Sequence, residues 1–281
     1  MTSIRDRRLR YVRSEHLGIP AIVNAGFELS RGEYVIVCHD HDSYHPDFLA
    51  ELAQLLDRHP SATYAHSGVV ILDSTGTSET MRFIYDYPEL ADGREFLTRH
   101  LLQGTASPVT AISMVRRSAL NGAFLNPRYM ACADVELWMR LSLAGDVAYT
   151  PRPLLRLRER DSSSLYFQRL HELTELVLQA KESYLGEIPD LADRRRAIRN
   201  WRADANLTGL AALCSALEHN QQAVIPGVKE FVRRRGTPAG VLAIELISLL
   251  PRSIGASVLR ALRLIRLLVR PIHFRLARGV S

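Results

Sequence analysis

Near its N-terminus the sequence reads Tyr34-Val35-Ile36-Val37-Cys38-His39-Asp40-His41-Asp42-Ser43-Tyr44. The first five residues are apolar and mostly β-branched or aromatic, which predicts a buried strand. Two histidines and two aspartates follow, and Pro46 then marks the expected start of a helix. Carboxylates crowded on such a loop repel each other unless a cation or a hydrogen-bond donor offsets their charge. A divalent ion with a phosphate-bearing ligand is one interpretation, and a solvated acidic loop is the other.

Helices and strands alternate on either side of this loop. In chain order the sequence predicts a helix at 18–29, a helix at 46–58, a strand at 62–72, a helix at 88–102, a strand at 111–116, a strand at 147–150 and helices at 162–185 and 190–218. Pro151 and Pro153 are expected to end the strand at 147–150. Alternating strands and helices are typical of an α/β domain with a parallel sheet.

A second informative stretch runs from Tyr129 to Trp138. Leu137, Trp138 and Leu141 follow Asp134 at helical spacing, so Asp134 is expected at or near the N-terminus of a helix. A carboxylate in that position is stabilised by free backbone N–H groups and by the helix dipole. On the residues alone, Asp134 is either a functional group or only a helix cap.

The charge of the chain is concentrated in its C-terminal part. The 281 residues carry a net charge of +6, with 47% hydrophobic and 23% charged residues, which allows a substantial core. From Ile225 onward there are eleven Lys and Arg against two Glu, so the remaining chain is slightly acidic. The main body is therefore not expected to bind nucleic acid.

The cysteines and the N-terminus indicate a cytoplasmic protein. Cys38, Cys132 and Cys214 are an odd number without paired spacing, which argues for a reducing compartment. The N-terminus is polar and lacks the apolar stretch of a signal peptide. No apolar run reaches the length of a transmembrane helix.

The segment Ile254–Arg270 is predicted to form a basic amphipathic helix. Its arginines form one stripe and consist of Arg260, Arg263, Arg266 and Arg270. Such a helix can lie at a membrane interface beside anionic lipids. It can equally pack on its own protein and leave the arginines in solvent.

Five short segments, taken in order and spacing, carry a family resemblance. They are Asn24-Ala25-Gly26, Arg31-Gly32-Glu33-Tyr34, the loop ending at Asp42 with Pro46 four residues later, Ala133-Asp134-Val135-Glu136-Leu137-Trp138-Met139-Arg140-Leu141, and Pro153-Leu154-Leu155-Arg156-Leu157-Arg158. Together they resemble the middle of a family-2 inverting glycosyltransferase of the GT-A fold. The resemblance covers about residues 8–165.

The resemblance implies an α/β fold: an N-terminally truncated, GT-A-like, Rossmann-like mixed sheet flanked by helices, followed by an all-helical C-terminal region. The expected domains are an incomplete GT-A-like core at 1–160, a helical extension at 161–236 and a basic amphipathic tail at 237–281. The chain begins where the third strand of the family is expected. The strand–helix–strand unit that holds the donor nucleotide is therefore predicted to be missing.

The resemblance also implies a hexosyltransferase-type reaction with a nucleotide-sugar donor and a glycan or lipid-linked acceptor, in cell-envelope polysaccharide synthesis. Asp134 would be the general base, and inversion would follow from direct displacement. Mn²⁺ or Mg²⁺ would be held by Asp42, Asp40 and His41, with Asp40, Arg156 and Arg158 meeting the diphosphate.

This sequence departs from the family pattern at three places. His39 and His41 stand where acids are usual, and imidazole suits Mn²⁺ and other transition metals better than Mg²⁺. Ala133 replaces the acid that normally precedes the catalytic aspartate. The missing nucleotide-binding unit is the third departure.

Three functions follow from these observations. The first is an inverting, metal-assisted glycosyltransferase, cytoplasmic and peripheral at the inner face of the cell membrane, with membrane contact through 254–270. The second is a catalytically defective relative that serves as a binding or scaffold protein. The third is a basic, membrane-surface helical protein whose first half is only structural.

Overall fold

The computed structural model describes residues 6, 8–13, 18–122, 124–159 and 169–249. Within these ranges the strands are β1 (Tyr34–Val35), β2 (Ser43–Tyr44), β3 (Ala62–Leu72), β4 (Glu79–Phe83), β5 (Leu90–Ala91), β6 (Met114–Arg116) and β7 (Asp146–Arg158). The α-helices are α1 (Ile19–Leu29), α2 (Phe48–Arg58), α3 (Gly93–Phe96), α4 (Ala133–Ala144), α5 (Leu170–Ser183), α6 (Leu191–Glu218), α7 (Ile225–Arg235) and α8 (Pro238–Leu249).

The described strands form one mixed sheet. Its order is β1-β6-β3-β7-β2, with β4 added to β3 and β5 added to β7. The long central strands β3 and β7 are parallel, and the other pairs are antiparallel. Within the described residues β1 pairs only with β6, so its other edge makes no sheet contact there.

Strand β7 extends through the two prolines that were expected to end it. The prediction of a strand limited to 147–150 is therefore wrong. The ladder between β3 and β7 skips from Ser67 opposite Thr150 to Gly68 opposite Pro153, which places the prolines in or beside a bulge. A bulged residue has no ladder hydrogen bond to donate, so a proline is tolerated there. A Cβ on Gly68 would lie 2.7 Å from the carbonyl oxygen of Pro151, and this close approach explains the glycine.

Helices cover both faces of the sheet. Helix α2 buries its apolar stripe in a core cluster with β3 residues such as Ala65 and Val69. Helix α4 lies on the opposite face, where Trp138 packs against Tyr64 with ring centroids 5.1 Å apart. The hydroxyl of Thr63 donates to the carbonyl oxygen of Leu141 at 3.0 Å. The C-terminal end of α4 lies beside the start of β3, since the N–H of Asp146 donates to the carbonyl oxygen of Ser61 at 2.9 Å.

The C-terminal helices share one hydrophobic core with this second face of the sheet. That core extends from Tyr64 through Trp138 to Trp201 and Ile244. The buried ammonium of Lys181 on α5 donates to the carbonyl oxygens of Leu101 and Gly104, and so joins the two regions. The mixed sheet with flanking helices, followed by helices, confirms the expected GT-A-like fold class. The division at residues 160 and 236 stays a prediction.

Other elements differ in detail from the sequence prediction. The helix expected at 88–102 is instead β5, the short α3 and a π-helical turn at Leu97–Leu101. The strand candidate at 34–38 pairs only at Tyr34–Val35, and β6 begins at Met114 rather than near 111. Helices α1, α2, α4 and α6 lie close to their predicted positions.

No helix in the described part of the chain is both long enough and apolar enough to cross a bilayer. The basic segment predicted at 254–270 lies outside the described residues.

Candidate active site

The loop of His39 to Asp42 is held between β1 and β2. Strand β2 pairs with the last part of β7, where Ser43 lies opposite Arg156. The hydroxyl of Tyr44 accepts a hydrogen bond from the backbone N–H of His39 at 2.7 Å and donates one to the carbonyl oxygen of His39 at 2.8 Å. One half-buried phenol therefore closes the loop into a turn.

The loop brings two imidazoles and one carboxylate together. Nδ1 of His39 lies 3.2 Å from Oδ2 of Asp42, and Nε2 of His41 lies 3.8 Å from the same oxygen. The two imidazole rings stack with centroids 5.4 Å apart. One ligand atom from each of the three residues falls within 4.8 Å of the others, which is close enough to hold a metal ion. This donor set of two nitrogens and one oxygen fits a divalent cation.

Asp42 is the inner member of the group. Its side chain is only 3% exposed, although the surrounding loop is largely open to solvent. Oδ1 of Asp42 accepts a hydrogen bond from the backbone N–H of Arg158 at 3.3 Å. Strand β7 thus fixes one carboxylate oxygen, while the other faces the two imidazoles.

Asp40 faces the other way. Its side chain is fully exposed, and its Oδ1 lies 3.1 Å from Nδ1 of His41. This hydrogen bond holds the pKa of Asp40 below its usual range. The structure therefore separates the two aspartates of the motif, one inward and one outward.

Arg156 and Arg158 are exposed and lie at the C-terminal end of strand β7, beside the loop. The guanidinium of Arg158 packs next to Gly76 in the turn between β3 and β4. Both residues therefore sit on the strand that anchors Asp42, as cations beside the candidate metal group.

Asp134 lies in the first turn of α4, and the N-cap position belongs to Cys132. The side chain is partly exposed. Burial raises the pKa of Asp134 to about 6, against the opposing effect of backbone hydrogen bonds from Val135 and from its own N–H. Desolvation thus outweighs the stabilisation that a helix N-terminus gives a carboxylate.

Glu136 is a buried carboxylate that sequence reasoning assigned no role. It accepts from Nε of Arg140 at 3.0 Å and from the hydroxyl of Tyr184 at 2.9 Å. The available signal was the Glu-x-x-x-Arg spacing, which favours an ion pair along a helix. These partners tie α4 to the helical region, whereas Asp134 forms no ion pair with any residue that the structure describes.

The remaining motif residues of α1 have structural roles. The side-chain amide of Asn24 donates to the carbonyl oxygen of Leu125 and accepts from the N–H of the same residue, at 2.8 and 2.7 Å. An apolar pocket of about 240 Å³ lies between α1 and β1 and is lined by Gly26, Phe27 and Val35 among others. Thus α1 braces the β1 edge of the sheet, from which the chain continues into the loop.

The structure therefore assembles Asp42 and His41, adds His39, and places Asp40, Arg156 and Arg158 around them. The sequence had named His39 only as a departure from the family pattern. Asp134 lies on a separate element, on the face of the sheet covered by α4.

The mixed sheet with flanking helices, and the carboxylate and imidazole loop between β1 and β2, agree with a GT-A-like fold. Residues 2–124 match the family model described as "Glycosyl transferase family 2". This match confirms the family resemblance drawn from the sequence. A search of curated proteins found no match. The matched region contains the loop but ends before Asp134, so the role of Asp134 stays a prediction.

Proposed function

We propose that the chain transfers a hexose from a nucleotide-sugar donor to a hydroxyl of a glycan or lipid-linked acceptor, with inversion. Its family-2 region supports glycosyl transfer in general. The observation that carries the finer proposal is Asp134, a partly exposed carboxylate whose pKa is raised to about 6. A base of that pKa is ionised at neutral pH and still able to accept a proton.

Asp134 would take the proton from the acceptor hydroxyl as its oxygen attacks the anomeric carbon. The attack comes from the side opposite to the leaving nucleoside diphosphate, so the configuration at that carbon inverts. Glu136 cannot share this role because its oxygens already accept from Arg140 and Tyr184. Its part is to hold α4 against the helical region.

The loop of Asp40 to Asp42 would bind the diphosphate end of the donor, with Asp42 and His41 as ligands of a divalent cation, Mn²⁺ or Mg²⁺. When bound, that cation would offset negative charge on the leaving group. Arg156 and Arg158 would add permanent positive charge, and a guanidinium can donate two parallel hydrogen bonds to a phosphate.

The position of α4 supports a shared crevice for these groups. Its C-terminal end lies beside the start of β3, where the N–H of Asp146 donates to the carbonyl oxygen of Ser61, and Asp134 lies in its first turn. Asp42 bonds to Arg158, at the C-terminal end of the parallel strand β7. We propose that both carboxylates face one crevice.

A second candidate function is that of a catalytically defective binding or scaffold protein. Two features favour it: the edge of β1 that has no sheet partner among the described residues, and the apolar pocket beside that edge. An unpaired strand edge next to an apolar pocket is a surface on which another chain can add a strand.

Donor turnover separates the two candidates. The full chain is incubated with Mn²⁺ and a panel of nucleotide sugars, and released nucleoside diphosphate is measured. We expect turnover with one donor class, reduced by about 10²–10⁴-fold in Asp134→Asn. Glu136→Gln is the matched control, because glutamine keeps an oxygen that accepts from Tyr184, and we expect it to retain activity. No turnover with any donor would favour the scaffold, and equal turnover in wild type and Asp134→Asn would refute Asp134 as the base.

We also propose that the protein acts at the cytoplasmic face of the cell membrane, in cell-envelope polysaccharide synthesis. Leu242, Leu246 and Leu249 form an exposed stripe on α8, at 60, 55 and 79% exposure. The chain continues from this helix into residues 250–281, which contain seven Arg and no acidic residue. An apolar stripe that leads into a basic segment is suited to anionic lipid.

Vesicle co-sedimentation tests this contact. We expect the full chain to bind vesicles that contain phosphatidylserine and to bind neutral vesicles much less. Changing Arg260, Arg263 and Arg266 together to Glu should abolish the difference. Unchanged binding in that variant would exclude an interfacial role for the tail.

A further inference from the structure

The His39–Asp42 loop has a donor set unlike that of an all-oxygen cation site. Two imidazole nitrogens and one carboxylate oxygen converge, whereas the second carboxylate of the motif, Asp40, points to solvent. We propose that His39, His41 and Asp42 form a three-ligand site selective for a transition-metal ion such as Co²⁺, Zn²⁺ or Mn²⁺ over Mg²⁺, and that Asp40 orients His41 instead of binding the ion. The inference rests on the proposed function only in assigning the bound metal a role in holding the donor diphosphate.

The contacts of His41 support this division of roles. Its Nδ1 is 3.1 Å from Asp40, and a carboxylate can only accept, so Nδ1 carries the hydrogen. In the neutral ring Nε2 then presents its lone pair. That lone pair faces Oδ2 of Asp42 at 3.8 Å. A cation between this lone pair and the carboxylate oxygen would be attracted to both. A carboxylate that fixes the tautomer of a metal-binding histidine is a common outer-shell arrangement.

The spacing of the ligand atoms is close to what a metal ion requires. Bonds of 2.0–2.2 Å at tetrahedral angles separate ligand atoms by roughly 3.4 Å. The distances from Oδ2 of Asp42 to Nδ1 of His39 and Nε2 of His41 are 3.2 and 3.8 Å. By the same rule Nδ1 of His39 donates to Asp42 before an ion binds, so forming the site requires loss of that hydrogen and small side-chain rotations.

The surroundings favour a preformed site over a chance encounter of side chains. Asp42 is almost fully buried and held by the N–H of Arg158. His39 is held through both backbone groups by the hydroxyl of Tyr44. His41 remains half-exposed, so its side is open to solvent. Three protein ligands with an open side leave a fourth position, and on expansion a fifth, for oxygens of a diphosphate or of water.

The donor set decides which ions bind. Mg²⁺ demands six oxygen ligands in near-ideal octahedral geometry and gives up its water reluctantly. Imidazole prefers the later first-row divalent metals, whose affinities rise from Mn²⁺ to Co²⁺ and remain high for Zn²⁺. With one carboxylate and two imidazoles, the site should bind Co²⁺ and Zn²⁺ most tightly, Mn²⁺ less tightly and Mg²⁺ least.

Cobalt titration tests the proposal without any sugar donor. The full chain, with any histidine tag removed, is titrated with Co²⁺, and the visible d–d absorption is recorded. We expect one saturable site from which Zn²⁺ displaces the cobalt, whereas roughly a hundredfold excess of Mg²⁺ does not. Circular dichroism of each variant confirms that the fold is intact.

Variants assign the ligands. His39→Ala and His41→Ala should each weaken Co²⁺ binding at least about tenfold, and Asp42→Asn should abolish it. Asp40→Asn should weaken binding less than either histidine change, because it removes only an orienting contact. His45→Ala is the matched control on the same segment: its Nδ1 accepts from the N–H of Asp47, and binding should be unchanged.

The proposal is overturned by any of three results: no saturable Co²⁺ site, displacement of Co²⁺ by an equal concentration of Mg²⁺, or wild-type affinity in His39→Ala. These results are separable from the proposed function. If the metal binds as expected but no sugar is transferred, the proposed metal site stands and the proposed transferase activity is refuted. If sugar is transferred with Mg²⁺ alone and no Co²⁺ site is found, the transferase activity stands and the transition-metal site is refuted.

Discussion

Replacing Asp134 by asparagine should raise stability and destroy activity at the same time. The pKa of Asp134 is about 6 in the folded protein against 3.8 in a model peptide, with burial as the main cause. The ionised carboxylate is therefore higher in free energy in the folded chain than in the unfolded one. Asparagine has nearly the same shape and carries no charge, so it removes this cost.

The magnitude follows from the shift. Each pKa unit corresponds to about 1.4 kcal/mol, so the upper bound is about 3 kcal/mol. Partial exposure of the side chain lets water screen the charge, and we expect a gain of roughly 1–2 kcal/mol at neutral pH. For a domain of this size that raises the melting temperature by about 3–6 °C.

The sign of the pH dependence is fixed by the direction of the shift. A raised carboxylate pKa means that the folded state binds the proton more tightly, so acid relieves the penalty. The penalty is complete above the folded pKa of about 6, and it disappears as the pH falls from there toward 3.8. The stability difference between Asp134→Asn and wild type should therefore be largest near pH 8 and vanish near pH 4.

The assay combines urea unfolding of both proteins at several pH values with donor turnover of the wild type. Turnover should fall about tenfold per pH unit below about pH 6, because the base becomes protonated. Glu136→Gln is the control, since it alters a neighbouring carboxylate that is already hydrogen-bonded. A loss of stability in Asp134→Asn at pH 8 would refute the reasoning, since it would mean that the carboxylate serves the helix rather than the reaction.

Three further changes test other parts of the structure. Gly68→Ala should destabilise the fold by about 2–3 kcal/mol because its Cβ would clash with the backbone of β7, whereas Gly186→Ala, with nothing within 4 Å, should be nearly neutral in urea unfolding. Lys181→Met should cost about 2 kcal/mol in the same assay, since two carbonyl oxygens lose their buried donor. Tyr44→Phe should weaken Co²⁺ binding roughly tenfold, because the hydroxyl that closes the loop around His39 is lost.

Each of these expectations has an opposing outcome. Equal stability of the two alanine variants would show that the bulge of β7 can move away from β3. An unchanged unfolding midpoint in Lys181→Met would mean that solvent reaches the two carbonyl groups. Wild-type Co²⁺ affinity in Tyr44→Phe would mean that the β2 pairing alone shapes the loop.

The local sequence pattern was sufficient to predict most of the helices and the order of the elements along the chain. Helix α2 shows its buried stripe in the spacing of Leu52, Leu55 and Leu56, and β3 is a long run of strand-forming residues. The same local rules misplaced the end of β7. Proline blocks a strand only where a ladder hydrogen bond is needed, and the bulge opposite Gly68 depends on a partner about 85 residues away in the chain.

The sequence alone determined the fold class, the family resemblance of the N-terminal region and the loop that carries Asp42. These depend on periodicity and on residue types at fixed spacing, which are properties of short segments. Only the tertiary structure decided that His39 faces Asp42 while Asp40 faces solvent, and that Asp134 carries a raised pKa. The physical reason is that side-chain direction and desolvation are set by distant contacts, here the N–H of Arg158, 116 residues beyond Asp42, and the packing of α4 on the sheet.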